Sequence, residues 1–310
     1  MQLQFQNNRP GKVAKVTCRN LLIFILASVS MFAMVGCPIS TTTPVYSAVR
    51  GFSVKNPNVK LILVTCQNGD IEIIQDPSAV IMEAKIEFKC SAQTQAEADK
   101  YADSTLPYFD TTITQSDGLK TLFELNCKFP PAIPNINIDT QQITIRAATL
   151  EGINVQTSNG KLSLVGFTCP ATLQTSSGGI HVKGHSGSIT MKSSNGALEA
   201  TDINGPVIAE TSNGLINVSL NATAQANIDL LTSNGMISLE LPQTWQGSVQ
   251  AVTDSGSIVI DGGSKGSDIV VNGGRGSMTL GDATKSKATL KTSNGGVMVK
   301  VVPTLVVLPR

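Results

Sequence analysis

Apolar and polar residues alternate in short segments that follow regularly spaced glycines. From Gly178 to Gly214, five glycines stand nine residues apart, and the residues two and four positions after each one are apolar. Ile180 and Val182 are the first such pair. Alternation with a period of two behind a turn residue is typical of a half-buried β-strand. Because these strands recur at a fixed period, they predict a stacked coil and not a globule with one centre.

A longer period groups these strands in pairs. The tetrapeptide Thr-Ser-Asn-Gly, or a close variant, begins at residues 157, 175, 193, 211, 232 and 253, and again at residue 292. We therefore predict an all-β fold, a single-stranded β-helix with about 18–21 residues per coil over residues 151–310. Residues 301–310 are interpreted as a C-terminal cap, with a docking strand for a partner as the alternative. Asn-Gly readily adopts positive φ at such corners, and stacked Asn side chains can hydrogen-bond from coil to coil.

Residues 51–150 lack this regularity and are predicted to form an irregular N-terminal part of the solenoid. Several strand-like runs occur here, and Pro130, Pro131 and Pro134 interrupt the chain between two of them. The segment from Ala92 to Ser104 is rich in Ala and Glu and has few β-branched residues. It predicts one short helix.

The first 36 residues have the form of a secretory signal peptide. A basic segment precedes the apolar run from Leu21 to Val35, which at 15 residues is shorter than the roughly 20 that span a bilayer. The sequence from Ala33 to Cys37 resembles a bacterial lipoprotein box, with Met34 in place of the usual leucine. This resemblance implies a lipid on Cys37, which attaches the chain to the membrane of the cell envelope. The alternatives are an ordinary signal peptide and an uncleaved signal anchor. Residues 37–50 are interpreted as a tether between the lipid anchor and the folded part.

Four cysteines remain in the predicted exported part. Two disulfides are expected in an oxidising compartment. Cys90 and Cys127 each end a strand-like run, so we expect them to pair, which leaves Cys66 with Cys169. Buried thiols are the alternative. The long spacings lack the close pairs of a zinc site, so no metal is predicted.

The composition changes the picture in two ways. Only 15% of the residues are charged, below the usual quarter or so, and positions one and three after each glycine are mostly polar or small. Leu215 and Met236 are exceptions at such positions. Four of the 23 bases lie in residues 1–36, so the rest of the chain has 19 bases and 22 acids. Because no basic cluster occurs, we expect no nucleic-acid binding.

Catalytic and metal-binding patterns are weak. The two histidines, His181 and His185, are interpreted as solvent-facing turn residues, and the glycine-rich segments at 262–268 and 273–278 are broken forms of a calcium-binding repeat. Acids in the repeats are scattered over different coils: Asp202, Glu210, Asp229, Asp254, Asp261 and Asp268. No nucleophile elbow or phosphate loop occurs. We therefore predict a protein that is not an enzyme and has no catalytic residues and no cofactor.

The segment Glu151-Gly-Ile-Asn-Val-Gln-Thr-Ser-Asn-Gly and its later echoes resemble a bacterial family of extracytoplasmic β-solenoids called "putative adhesin". The segment is also similar to the related head domain of auto-transporter adhesin-like proteins that is named for Gly-Ile-Asn. The resemblance covers about residues 51–300. It implies a β-helix at the cell envelope and supplies no catalytic residues.

These observations predict a lipid-anchored, extracytoplasmic β-solenoid that binds a surface, a glycan or a protein partner through many weak contacts. Two alternatives stay open. One is an envelope scaffold that assembles through the solenoid ends. The other is a polysaccharide-cleaving β-helix enzyme, which requires two or three carboxylates in one groove.

Overall fold

The computed structural model describes residues 16–17, 46–105, 108–116, 120–127 and 137–303. In these residues, 24 strands form two long sheets around a shared apolar core, and one helix lies beside them. Sheet A contains, in spatial order, β1 (Val16–Thr17), β6 (Phe109–Ser116), β7 (Lys120–Cys127), β3 (Val59–Asn68), β9 (Gly152–Asn159), β11 (Ala171–Thr175), β13 (Ile189–Ser193), β15 (Val207–Thr211), β17 (Ile228–Thr232), β23 (Lys287–Thr292), β19 (Gly247–Thr253), β22 (Arg275–Leu280) and β21 (Gly266–Asn272). Sheet B contains β2 (Tyr46–Asn56), β5 (Met82–Ala92), β8 (Asn137–Ala147), β4 (Asp70–Gln75), β10 (Leu162–Val165), β12 (Ile180–Lys183), β14 (Leu198–Ile203), β16 (Ile216–Leu220), β18 (Ile237–Pro242), β24 (Val297–Val302) and β20 (Ile258–Asp261).

Between β9 and β18 the chain alternates between the two sheets, so that two strands complete one coil. From β9 to β16, each strand pairs in parallel with the strand two places further along the chain. Ile180 lies opposite Leu198, 18 residues on, and Ile216 lies opposite Ile237, 21 residues on. The predicted β-solenoid with 18–21 residues per coil is confirmed.

The interior of the solenoid is a narrow aliphatic column. Ile180, Ile189, Leu198 and Ile216 are each at most 1% exposed. They point inward together because alternate residues of a strand face opposite sides of its sheet. Burial of one such side chain contributes about 1.5–3 kcal/mol. Each coil therefore buries its own aliphatic residues against the coils above and below it.

The threonine and the glycine of the Thr-Ser-Asn-Gly corner both hold neighbouring coils together. Thr211 Oγ1 donates to the carbonyl oxygen of Gly196 at 3.2 Å, and Thr232 Oγ1 donates to that of Gly214 at 3.1 Å. A Cβ atom on Gly214 would lie 1.9 Å from the Gly196 oxygen. Neither Gly196 nor Gly214 has a positive φ. The expectation that positive φ requires glycine at these corners was therefore wrong. Glycine is needed at Gly196 and Gly214 because neighbouring coils stack too closely for a Cβ atom.

The asparagines of the same corner form the predicted ladder. The Nδ2 atom of Asn213 donates to Oδ1 of Asn195 at 2.9 Å. Asn234 donates in the same way to Asn213 at 2.9 Å, and Asn294 donates to Asn234 at 2.8 Å. The exposed edge of the solenoid is thus bonded through side chains as well as through backbone.

The coil built from β23 and β24 is out of sequence order. β23 lies between β17 and β19, and β24 lies between β18 and β20. After β18 the chain leaves one level of the stack empty, and β19 and β20 form the level beyond it. The chain then forms the antiparallel hairpin β21–β22, and β23 and β24 afterwards occupy the empty level. β20 and the hairpin therefore form this end of the stack. Val301, part of the predicted C-terminal cap, is buried inside the stack, and residues 304–310 lie outside the described residues.

The N-terminal end of the stack is also built out of order. β7 and β8 pair in parallel with β3 and β4, and the antiparallel strands β6, β5 and β2 complete this end. β1, which falls within the predicted signal peptide, pairs with β6.

Helix α1 (Gln95–Thr105) corresponds to the predicted helix and begins three residues later than expected. Thr94 caps it, since Thr94 Oγ1 accepts a hydrogen bond from the amide of Glu97 at 3.3 Å. Arg50 of β2 holds the helix in place. Its Nε donates to Asp103 at 2.7 Å and its Nη2 donates to Asp99 at 3.0 Å.

The disulfide in the structure differs from the expected pairs. Cys66 of β3 and Cys127 of β7 lie directly opposite each other, with their Cα atoms 4.6 Å apart, and are joined. The pairs Cys90–Cys127 and Cys66–Cys169 were therefore wrong. Cys90 and Cys169 are buried and lie outside this disulfide. Burial raises the pKa of the Cys169 thiol, which keeps it protonated and unreactive.

Candidate binding surface

The outer side of sheet B between β10 and β18, here called the sheet B face, carries two columns of outward side chains along the solenoid axis. The first column contains Ser163, His181, Glu199, Asn217 and Ser238. The second contains Val165, Lys183 and Thr201 and, beyond a register shift between β14 and β16, Ser219 and Glu240. Parallel pairing in register produces the columns, because equivalent residues of successive coils lie side by side.

A shallow hollow of about 210 Å³ lies between the columns at β10, β12 and β14. On one side of it, His181 Nδ1 and Glu199 Oε2 are 2.9 Å apart, and their side chains are 42% and 41% exposed. Lys183 lines the other side. Because both side chains are exposed, their contact contributes little to stability, and a partner can engage them at little cost.

Four exposed apolar residues adjoin these columns toward the C-terminal end and form what we call the apolar stripe. They are Leu215, Met236, Met298 and Val259, which are between 43% and 53% exposed. Leu215 and Met236 precede Ile216 and Ile237, which lie opposite each other, and Met298 lies opposite Val259. Exposed apolar residues grouped on one face of a sheet mark an interaction surface more often than apolar residues that are scattered singly. The sequence pattern identified Leu215 and Met236. Val259 and Met298 stand three positions after Gly256 and Gly295, so the same pattern could have found them, but that they are neighbours follows only from the place of β24 beside β20.

The two histidines have different surroundings. His181 faces outward from a strand and not from a turn. His185 is fully buried, contrary to expectation, and its Nδ1 donates to the carbonyl oxygen of Gly166 at 2.8 Å. Its equivalents in the coils on either side are Phe167 and Ile203, both buried. Alignment of the 18-residue coils would have revealed this apolar position.

The acids named from the sequence do not gather in one groove. Glu210 and Asp229 lie on sheet A strands, Asp261 lies on sheet B, and Asp268 lies in the terminal hairpin. Asp202 and Asp254 occupy different corners, at the end of β14 and after β19. In the part of the chain that the structure describes, no group of three His, Cys, Asp or Glu side chains could hold a metal ion.

Cys37 and the rest of the predicted tether up to residue 45 lie outside the described residues. Within the described ranges, no helix has the length and the hydropathy that crossing a membrane requires.

Comparison with known proteins agrees with a solenoid. The family described as Toastrack DUF4097 matches residues 132–243, which include the first coils of the repeat. The match covers the transition from the irregular part to the regular coils. No protein of curated function matches this chain.

Several solved structures are similar to the chain along most of its length. A "putative adhesin" from Bacteroides fragilis has 14% identity and a TM-score of 0.42, over 80% of this chain and 96% of its own. A "putative cell adhesion protein" from Clostridium sporogenes has 12% identity and a TM-score of 0.33, over 83% and 100%. A "putative lipid binding protein" from Parabacteroides distasonis has 13% identity and a TM-score of 0.26, over 83% and 96%. At these identities and scores, the likeness does not establish a shared function.

Proposed function

We propose that this chain is an exported, lipid-anchored, adhesin-like protein that is not an enzyme and that binds a partner through the sheet B face and the apolar stripe. One observation carries the proposal. The polar columns and the apolar stripe lie on the same side of a parallel sheet, and Met298 and Val259 extend the first column beyond Ser238. Such a surface is already ordered before binding, so association costs little conformational entropy.

The chemistry of the surface favours a protein partner over a glycan. Glycan sites usually present aromatic rings, and between β10 and β20 the aromatic residues are Phe167 and Trp245 alone. Both are buried. Methionine and leucine side chains beside charged residues are instead typical of protein interfaces.

The binding surface can be tested with two matched substitutions. Leu215→Lys places a charge in the apolar stripe, whereas Leu231→Lys changes an equally exposed leucine (42% exposed) on sheet A. We expect Leu215→Lys to weaken capture of the full chain by a panel of immobilised envelope proteins and glycans at least tenfold, and Leu231→Lys to leave it unchanged. Equal effects of the two substitutions would show that sheet B is not the binding side.

The anchor is tested separately. Cys37 is the proposed lipid site, and Cys18 in the leader is a matched control. In cells grown with an alkyne-tagged fatty acid, we expect label on the wild type and on Cys18→Ser, and none on Cys37→Ser. Label that persists in Cys37→Ser would exclude this anchor and leave the binding surface unaffected.

A further inference from the structure

We propose that the C-terminal end of the solenoid is an interface with a second copy of this chain, in which strand β21 of each copy pairs antiparallel with β21 of the other. Beyond the binding surface described above, this assigns a role to the end of the stack. It concerns backbone hydrogen bonds at a sheet edge, whereas the sheet B face binds through side chains.

β21 is an open edge. It is the last strand of sheet A and is paired with β22 on one side. Three consecutive apolar residues of this strand, Ile269, Val270 and Val271, are 44%, 58% and 47% exposed. An edge strand with free backbone groups and exposed β-branched residues favours pairing with another strand. The register shift between Ser267 and Val270 leaves Val270 to Asn272 as the regularly paired segment next to the turn.

The charges around β21 favour a copy of the same strand in antiparallel orientation. Asp268 stands at the start of the apolar run, and Arg275 stands just beyond the end of the strand. Both are exposed. Antiparallel pairing about a two-fold axis brings Asp268 of each copy toward Arg275 of the other, whereas parallel pairing would place the two Asp268 side chains side by side.

The opposite end of the solenoid has different edges, since β2 is the last strand of sheet B there and sheet A ends in β6 and the two-residue β1. Helix α1 packs on β2 and β5 and buries Ala98 and Ala102, and Arg50 fixes it there. β1 pairs with part of β6 at the edge of sheet A. Because the two ends differ, pairing of like ends closes at two copies and does not continue into a filament.

The experiment compares two exposed valines in the full chain, purified in detergent and examined by sedimentation velocity. Val270→Lys places a charge at the centre of the proposed interface, and Val80→Lys, at a site 90% exposed in the N-terminal part, is the matched control. We expect the wild type and Val80→Lys to form a dimer, and the dissociation constant of Val270→Lys to rise at least tenfold. A wild type that remains monomeric at all concentrations, or a dimer that Val270→Lys does not weaken, would overturn the proposal.

Cross-linking through an introduced cysteine tests whether β21 lies at the contact between the two copies. Under mild oxidation, Val270→Cys should give a disulfide-linked dimer, and Val80→Cys should not. A ladder of larger species from Val270→Cys would contradict closure at two copies.

Discussion

The middle of the solenoid and its N-terminal end are stabilised in different ways. In the middle, every coil repeats the same contacts, so the spacing between coils is fixed many times over. At the N-terminal end, each contact occurs once, as with the Arg50 ion pairs and the Cys66–Cys127 disulfide. An added methyl group that does not fit the spacing between coils should therefore lower the stability strongly in the middle. Loss of one hydrogen bond should lower the stability less in the middle than at the N-terminal end.

The sharpest test of this difference is a pair of neighbouring glycines. A Cβ atom on Gly295 would lie 1.9 Å from the carbonyl oxygen of Gly235, whereas one on Gly296 would be in ordinary contact at 3.4 Å. We expect Gly295→Ala to lower the free energy of unfolding by about 3 kcal/mol or more, and Gly296→Ala by less than about 1 kcal/mol. Denaturant unfolding followed by circular dichroism measures both. Similar losses for the two variants would mean that coil spacing does not select the glycine.

The contacts that hold α1 provide the corresponding test at the end. Arg50 is 8% exposed and bonds two carboxylates, whereas Lys55 in the same strand forms an exposed pair with Glu83. We expect Arg50→Ala to cost about 1–2 kcal/mol and Lys55→Ala less than about 0.5 kcal/mol. Hydrogen exchange should show the loss mainly in α1 and β2. An equal increase of exchange in β13 and β15 would indicate that the end and the middle unfold together.

Loss of a single corner hydrogen bond should cost less. Thr232→Val removes the hydroxyl that donates to Gly214 and keeps the shape of the side chain. We expect a loss of about 1 kcal/mol, because the buried carbonyl is left without this donor. Thr172→Val, on the exposed side of β11, is the control and should be close to neutral. A larger loss of stability for Thr232→Val than for Arg50→Ala would contradict the proposed difference between the middle and the N-terminal end.

The smallest expected effect is the response of α1 to acid. A hydrogen bond from Gln95, and after it the one from Arg50, lowers the pKa of Asp99 below its ordinary value of 3.8. The stabilisation from Asp99 is therefore complete above about pH 3.8 and is lost as the pH falls through the lower value in the folded chain. Exchange of α1 amides should increase over this range in the wild type and much less in Asp99→Asn. Identical pH profiles would show that Asp99 does not contribute.

The repeating part of the fold was predictable because its residues specify their own register. The same tetrapeptide at each corner places Ile180, Leu198 and Ile216 one above another, and the inward column of aliphatic residues follows from the period of two. The asparagine ladder followed from the same spacing. The sequence therefore predicted the coil, its length and its core.

The ends could not be predicted in the same way, because their spatial order is not their order along the chain. The gap of 39 residues between the last two corner tetrapeptides indicated an irregularity, but not that the later coil lies inside the stack. The prediction of the disulfide pairs was wrong for the same reason. Cys66 meets Cys127 only because β7 packs beside β3, which nothing near either cysteine indicates.

The binding surface was predictable in part. Ser, Thr and charged residues at outward positions predicted a polar face, and Leu215 and Met236 stood out as exceptions. Whether two such exceptions join into one patch depends on which strands are neighbours. The position of β24 between β18 and β20 brings Met298 and Val259 together and completes the apolar stripe.

The place of β23 and β24 in the stack also has a consequence for biogenesis. These strands are the last of the described chain to be synthesised, and a secreted chain would deliver them last across the membrane. Until they arrive, β17 and β18 have no neighbours on one side, and the coil of β19 and β20 cannot take its final position. Contacts between segments about 60 residues apart, such as Ile237 and Val297, form slowly. Completion of the solenoid therefore waits for the delivery of β23 and β24, and a chain terminated before β23 would retain unpaired edges on β17 and β18.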